Sequence, residues 1–347
     1  MEINIFVLIF LIIGIVLLYE FINGFNDCAN MVVTPIITGA LEPRQALLIL
    51  AIFEFIGAWF LGTAVAKTLG LGIVNPAHIT ILVILAALFS AIIWILNGWY
   101  LGMPSSSSHA LIGGLLGAVI MQAGTEAIHW GTVIKVILML ISTPLLGLGA
   151  GYLLTKNFIS FFAGFKPSQA NRLLKRLQIV TSITLALSHG SNDAQKGMGV
   201  ISLALLLFYK VSSKEVGKFY QPGGANGFYV PDWVILICSL AIALGVSFGG
   251  WRIMKTLGTK LYKIRPIHGF SAQTCASAVI YLSSLLGYPV STTQIVSSSI
   301  LGAGSAQRIG SVRWQVGKQI FLTWLFTIPG SALLSAGIFL LLKRWFG

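Results

Sequence analysis

A chain of 347 residues that is 56% hydrophobic and only 9% charged, with a mean hydropathy of +0.90, lacks the polar surface to enclose a soluble globule of its size. The net charge of +13 would suit a nucleic-acid partner, but the basic residues are scattered in short loops between apolar runs, which fits orientation in a lipid bilayer and argues against nucleic acid. Cys28, Cys238 and Cys275 lie in or beside apolar segments without metal-ligand spacing and are expected to serve packing.

The opening run, 3–21, is long enough to span a hydrocarbon core, which needs about 20 apolar residues. It has no basic leader and no small-residue cleavage site, so it reads as a retained span. Directly after it comes Asn23-Gly-Phe-Asn-Asp-Cys-Ala-Asn30. An aspartate at bilayer depth costs several kcal/mol unless it is paired, protonated or holding a cation. Asp27 is therefore a candidate cation-coupling group. Asn26 and Asn30 add oxygen ligands suited to Na+, and the carboxyl itself can carry H+. The bland alternative, an N-cap at a turn, loses ground because the feature recurs below. This polar stretch is expected to break its helix. Glu20 and Glu54, also set in apolar sequence, are candidates for proton carriers or for hydrogen bonds between helices.

Next come Lys67-Thr-Leu-Gly70, a long apolar run, and the island Leu101-Gly-Met-Pro-Ser-Ser-Ser-Ser-His109, which leads into a helix rich in small residues. Proline, then hydroxyls, then a helix places Ser105, Ser106, Ser107 and Ser108 at a partially positive helix N-terminus, a ready receptor for an anion. Irregular backbone at membrane depth is tolerated only where protein or a cavity satisfies it, so the island faces inward. His109 is expected to support the island from behind, and Gly113, Gly114, Gly117 and Gly302 to let helices approach closely. Trp94, Trp99, Trp130 and Trp233 read as interfacial anchors.

The pattern then repeats. His189-Gly-Ser-Asn-Asp193 matches the first motif, Lys255-Thr-Leu-Gly258 the second, and Leu286-Gly-Tyr-Pro-Val-Ser-Thr-Thr-Gln294 the island. The second set supplies Asn192 and Asp193 for cations, with His189 alongside. It supplies Ser291, Thr292 and Thr293 for an anion, with Gln294 behind them. Three ordered matches divide the chain into a first transmembrane repeat, 1–164, a basic linker, 165–176, and a second repeat, 177–347, with an exposed polar loop at 209–232. The fold class expected is an all-α polytopic membrane protein of two inverted-topology repeats, with broken helices and re-entrant helical hairpins, its site where the repeats meet. Charge bias places the linker, the 252–265 loop and the Arg308, Arg313, Lys318 loop in the cytoplasm, and both termini outside.

These residues resemble the inorganic phosphate transporter (PiT) family of cation-coupled secondary carriers, over nearly the whole chain. The marks are the paired "GFNDCAN" and "GSNDAQK" and the paired "PSSSSH" and "PVSTTQ". The resemblance implies phosphate import by alternating access across the inner (cytoplasmic) membrane, and no enzymatic activity. It carries phosphate binding to Ser105–Ser108, Ser291, Thr292 and Thr293, and cation coupling to Asn26, Asp27, Asn30, Asn192 and Asp193. Asp27 and Asp193 would be the metal ligands if the ion is Na+. No other cofactor is implied, and a homo-oligomer is left open.

Two positions depart from the family pattern. Lys196 stands where an asparagine follows the second aspartate, and Gln294 where a histidine is usual. An ammonium beside Asp193 can substitute for a bound Na+; the bland alternative is that it snorkels to an interface. The chain is similar to the low-affinity bacterial branch of the family, which is associated with H+ coupling and metal-phosphate complexes, so H+ is favoured over Na+. A sulfate or other oxyanion permease of the same fold is the nearer alternative. A membrane phosphatase is the remote one, since the basic element that should precede a "PSGH"-like motif is absent.

Overall fold

In a computed structural model, which describes residues 5–223 and 227–346, the chain is helical almost throughout. The first apolar run and the motif behind it form one helix, α1 (Ile5–Ile37). The expected break at Asp27 is not there. The helix keeps its own backbone bonds, and the carboxylate is satisfied by side chains instead, among them Asn26 next to it and Thr293 from far along the chain.

Proline at the first turn starts α2 (Pro43–Phe60). A short helical turn, Ala64–Lys67, then passes into a π-helical turn, Thr68–Gly72. Thr80 caps α3 (Ile81–Leu101), which stops at Gly102 in the left-handed conformation, φ 66°. After an extended stretch, Ser106 caps α4 (Ser107–Ala123). A bridge between Val74 and Ile128 joins the two ends of this hairpin, so it returns to the side it leaves. Helix α5 (Trp130–Phe161) follows.

The basic linker is largely helical. From Pro167 it is the beginning of α6 (Pro167–Val211), a helix of 45 residues and about 67 Å, more than twice a hydrocarbon core. Its sequence is amphipathic, with Ala170 and Leu174 buried and Arg172 and Arg176 exposed, so the helical period continues through it. The second aspartate motif is again enclosed in continuous helix. Helix α7 (Asp232–Phe248) is followed by a bend of 53° into the segment Trp251–Leu261, whose last turn, Thr256–Leu261, is π-helical like its counterpart. The second hairpin is α8 (Pro266–Leu285) and α9 (Thr292–Gln307), and α10 (Trp314–Phe346) closes the chain.

The 209–232 segment is less exposed than its composition suggests. Val216, Tyr220, Phe228 and Val230 are buried, and Tyr220 holds the segment together by donating to Gly227 O at 2.8 Å. The apolar residues spaced among its glycines anchor it. Positions 224–226 of that expected loop lie outside the described residues.

By length and composition six helices can cross a membrane, or seven with the bent pair as one span, among the described residues. The fold is therefore that of an all-α polytopic membrane protein. Its two sequence halves are interlocked: α1 packs on α7 and α2 on α6, while α4 lies against α10 and α9 against α5. The contacts are reciprocal in detail. Gly24 of α1 abuts Ile242 O of α7, and its counterpart Gly190 of α6 abuts Glu54 O of α2. A side chain at either glycine would collide with backbone. Each π-helical turn also clasps the other half's hairpin. Thr68 Oγ1 donates to Gly287 O at 2.7 Å, and Thr256 Oγ1 donates to Gly102 O at 2.7 Å.

Candidate anion and cation site

The interlocking brings the middle of α1 and α6 against the first turns of α4 and α9. Each first turn is built the same way. Ser106 accepts from His109 N at 3.2 Å and Ser291 from Gln294 N at 3.3 Å, the capping that serine favours before a helix. These two hydroxyls are committed to the backbone, while the next residues, Ser107 and Thr292, point their hydroxyls at the aspartates. The residues behind them meet across the halves, with Gln294 Nε2 3.0 Å from His109 Nδ1.

Asp27 is the hub. Its Oδ1 accepts from Asn26 Nδ2 at 2.7 Å and from Thr293 Oγ1 at 2.8 Å. Its Oδ2 accepts from Thr292 Oγ1 at 3.2 Å and, more loosely, from Ser107 Oγ at 3.5 Å. Asn30 donates to Thr293 Oγ1 at 3.0 Å and so fixes the hydroxyl that Asp27 uses. The amide oxygens of Asn26 and Asn30 are buried and accept no hydrogen bond among the described residues, which leaves them free to join a carboxylate around a cation.

Asp193 has a different setting. Its Oδ2 lies 2.8 Å from Lys196 Nζ and accepts from Thr292 Oγ1 at 3.4 Å. Thr292 therefore touches both aspartates. Lys196 does not snorkel: it is fully buried, and its second bond, at 3.1 Å, goes to Ser107 Oγ.

Other expected residues lie close by with different tasks. Ser108 donates to Val290 O at 2.7 Å and ties the first island to the second. Asn192 donates to Ser284 Oγ and Tyr288 O and accepts from Val290 N, so it holds the second island's backbone. Ser105 is buried against Gly98 of α3.

Two residues are more central than their sequence setting suggests. His189, expected alongside, sits between both aspartates, with Nε2 3.8 Å from Asp27 Oδ2 and 3.6 Å from Asp193 Oδ2. Its Nδ1 is 2.6 Å from Glu54 Oε1. The available signal was Glu54 itself, a carboxylate in an apolar helix that needs a partner. Asp27, His189 and Asp193 each present a ligand atom within 4.8 Å of the others, a spacing that can hold a metal ion.

The arrangement brings two helix N-termini, carboxylates and unbonded amide oxygens together in a buried place. Known proteins are similar to this chain in sequence and fold. The model of the phosphate transporter family matches residues 23–335. A Bacillus subtilis (strain 168) protein described as "Probable low-affinity inorganic phosphate transporter" is 41% identical over 98% of each chain. A Rhizobium meliloti (strain 1021) protein with the same description is 40% identical over 94% of this chain and 93% of its own. A solved structure described as "The sodium-dependent phosphate transporter" shares the fold, with a TM-score of 0.82 at 24% identity over 97% of this chain and 99% of that one.

Proposed function

Since the chain belongs to the phosphate transporter family, a family of carriers rather than enzymes, we propose that it imports inorganic phosphate across the inner (cytoplasmic) membrane by alternating access, driven by a cation gradient. The observation that carries this reading is the meeting of two capped helix N-termini, one from each half, over a single buried carboxylate, Asp27.

Phosphate binds between the first turns of α4 and α9, where free N–H groups and the Ser107 and Thr292 hydroxyls offer donors and the helix dipoles favour negative charge. The remaining hydroxyls of the two islands, Ser105, Ser106, Ser108, Ser291 and Thr293, shape this cradle. An ionised Asp27 opposes the same anion. Two like charges 4 Å apart at an effective dielectric of 20 repel by about 4 kcal/mol, roughly a thousandfold in affinity. A cation at Asp27 removes that repulsion, so anion and cation bind together and cross together. This is the physical basis of coupling. Inverted repeats supply the exchange of facing, because each half's hairpin is held by the other half's clasp.

The favoured ion is H+. Glu54 and His189 form a buried chain of exchangeable groups that ends at Asp27. Sodium is the second reading, supported by the unbonded amide oxygens of Asn26 and Asn30 and by the structural neighbour, a transporter described as sodium-dependent.

Radiolabelled phosphate uptake into proteoliposomes, with pH and Na+ gradients imposed separately, tests the reading. An inward proton gradient should drive accumulation above equilibrium, and excess sulfate should not compete. Uptake driven by sodium alone would reassign the ion. Accumulation of sulfate but not phosphate would overturn the substrate.

A further inference from the structure

Three residues after Asp27 stands Asn30, and three residues after Asp193 stands Lys196. The duplicated framework makes these positions equivalent, so the chain contains its own comparison. In the first half the residue is a neutral amide with an unbonded oxygen. In the second it is an ammonium 2.8 Å from the carboxylate.

We propose that Lys196 is a tethered cation: its ammonium fills, beside Asp193, the place that a mobile coupling ion takes beside Asp27, so that ion coupling is confined to the first half. The inference rests on the cation-coupled reading of the site.

Charge arithmetic supports it. Asp193 and Lys196 cancel, whereas the hydroxyl and amide groups bonded to Asp27 are neutral donors that leave its charge in place. Among Asp27, Asp193 and Lys196, one negative charge remains to be balanced when an anion arrives. With asparagine at position 196 there would be two.

The position of the ammonium also separates this role from a purely structural ion pair. Lys196 bonds Ser107, the first residue of α4. Positive charge at a helix N-terminus opposes the dipole, and burying an ion pair seldom adds stability over an apolar replacement. A lysine placed there is poorly suited to holding a helix and well suited to an anion arriving at that end. Its backbone is fixed for the task, because Glu20 Oε1 accepts the Gly197 N–H at 2.6 Å. The other charged or titratable neighbours of the pair are Asp27, His189 at 3.6 Å from Asp193, and through it Glu54, together with Tyr19, His109 and Glu20 beside Gly197.

The test uses purified full-length protein with the variants Lys196→Asn, Lys196→Arg and the double variant Lys196→Asn with Asp193→Asn. Melting temperature is followed during titration with sodium against choline, without phosphate, and uptake is measured in the same buffers. Lys196→Asn should gain a sodium-dependent rise in melting temperature beyond that of the unaltered protein. The double variant, with the extra carboxylate removed, should lose that gain. In sodium-free buffer, phosphate uptake by Lys196→Asn should fall at least about tenfold and recover with sodium, while Lys196→Arg stays sodium-independent relative to the unaltered protein. A sodium response of Lys196→Asn equal to that of the unaltered protein, or an equal gain in the double variant, overturns the proposal. The thermal measurement needs no transported anion, so it judges Lys196 even if phosphate proves to be the wrong substrate.

Discussion

Asp27 and Asp193 occupy matching places on helices that pack in matching ways, yet their partners differ in kind. Asp27 collects hydrogen bonds from neutral amides and hydroxyls supplied by both halves, and Asp193 is closed by an ammonium three residues away. Duplication supplies the frame: two capped helix ends, two aspartates, two clasps. Divergence at one position in that frame can then divide the work, leaving one half to exchange an ion and the other to hold a fixed charge. The clasps differ in the same spirit. Both bond a left-handed glycine, Gly102 or Gly287, through a threonine. On the Gly102 side the clasping segment itself adds a second bond, where Arg252 donates to Tyr100 O at 2.9 Å and lies over the Trp99 and Tyr100 rings.

The largest effect is expected at the hydroxyls shared between the halves. Ser107→Ala and Thr292→Ala each remove a bond to a charged group, worth about 1.5–3 kcal/mol, or roughly ten- to a hundredfold in affinity. Each should raise the KM for phosphate by that factor with the protein still folded in the membrane, and the double variant should show little saturable uptake. Unchanged uptake by the double variant would remove the two helix ends from the mechanism.

A smaller effect is expected at the clasps. One neutral hydrogen bond contributes about 0.5–1.5 kcal/mol. Thr68→Val should therefore shift the balance between facing states about two- to tenfold, and Thr256→Val less, because Arg252 still holds that hairpin. Alkylation rates of single cysteines placed near each hairpin turn, in a cysteine-free background, read the shift. Adding Arg252→Gln to Thr256→Val should bring the second clasp to the sensitivity of the first; equal effects of the two threonine variants with Arg252 intact would contradict the asymmetry.

Much of this was legible in the sequence because it is local. Spans follow from runs of apolar residues, the islands from proline and serines ahead of a helix, and the duplication from order. What was not legible depends on contacts between distant residues. The motif at Asp27 reads as a helix break, since a lone carboxylate in an apolar run has no visible partner. The partner is Thr293, 266 residues away, and with it the helix stays whole. The same distance hides His189, whose three carboxylate neighbours come from α1, α2 and its own helix. The linker is basic and amphipathic in sequence, but the sequence alone does not show that its helix runs unbroken into the second aspartate motif as α6. Composition likewise cannot reveal that the 209–232 segment is pinned by Tyr220 and Phe228.

If Asp27 carries the coupling ion, concentrative uptake and exchange must come apart in Asp27→Asn. The substitution keeps the size of the side chain but removes the charge that must be neutralised before the anion crosses. In proteoliposomes, Asp27→Asn should fail to accumulate phosphate above equilibrium under any imposed pH or Na+ gradient, while retaining slow exchange of internal for external phosphate. Accumulation by Asp27→Asn to the level reached by the unaltered protein under the same gradient would contradict the account.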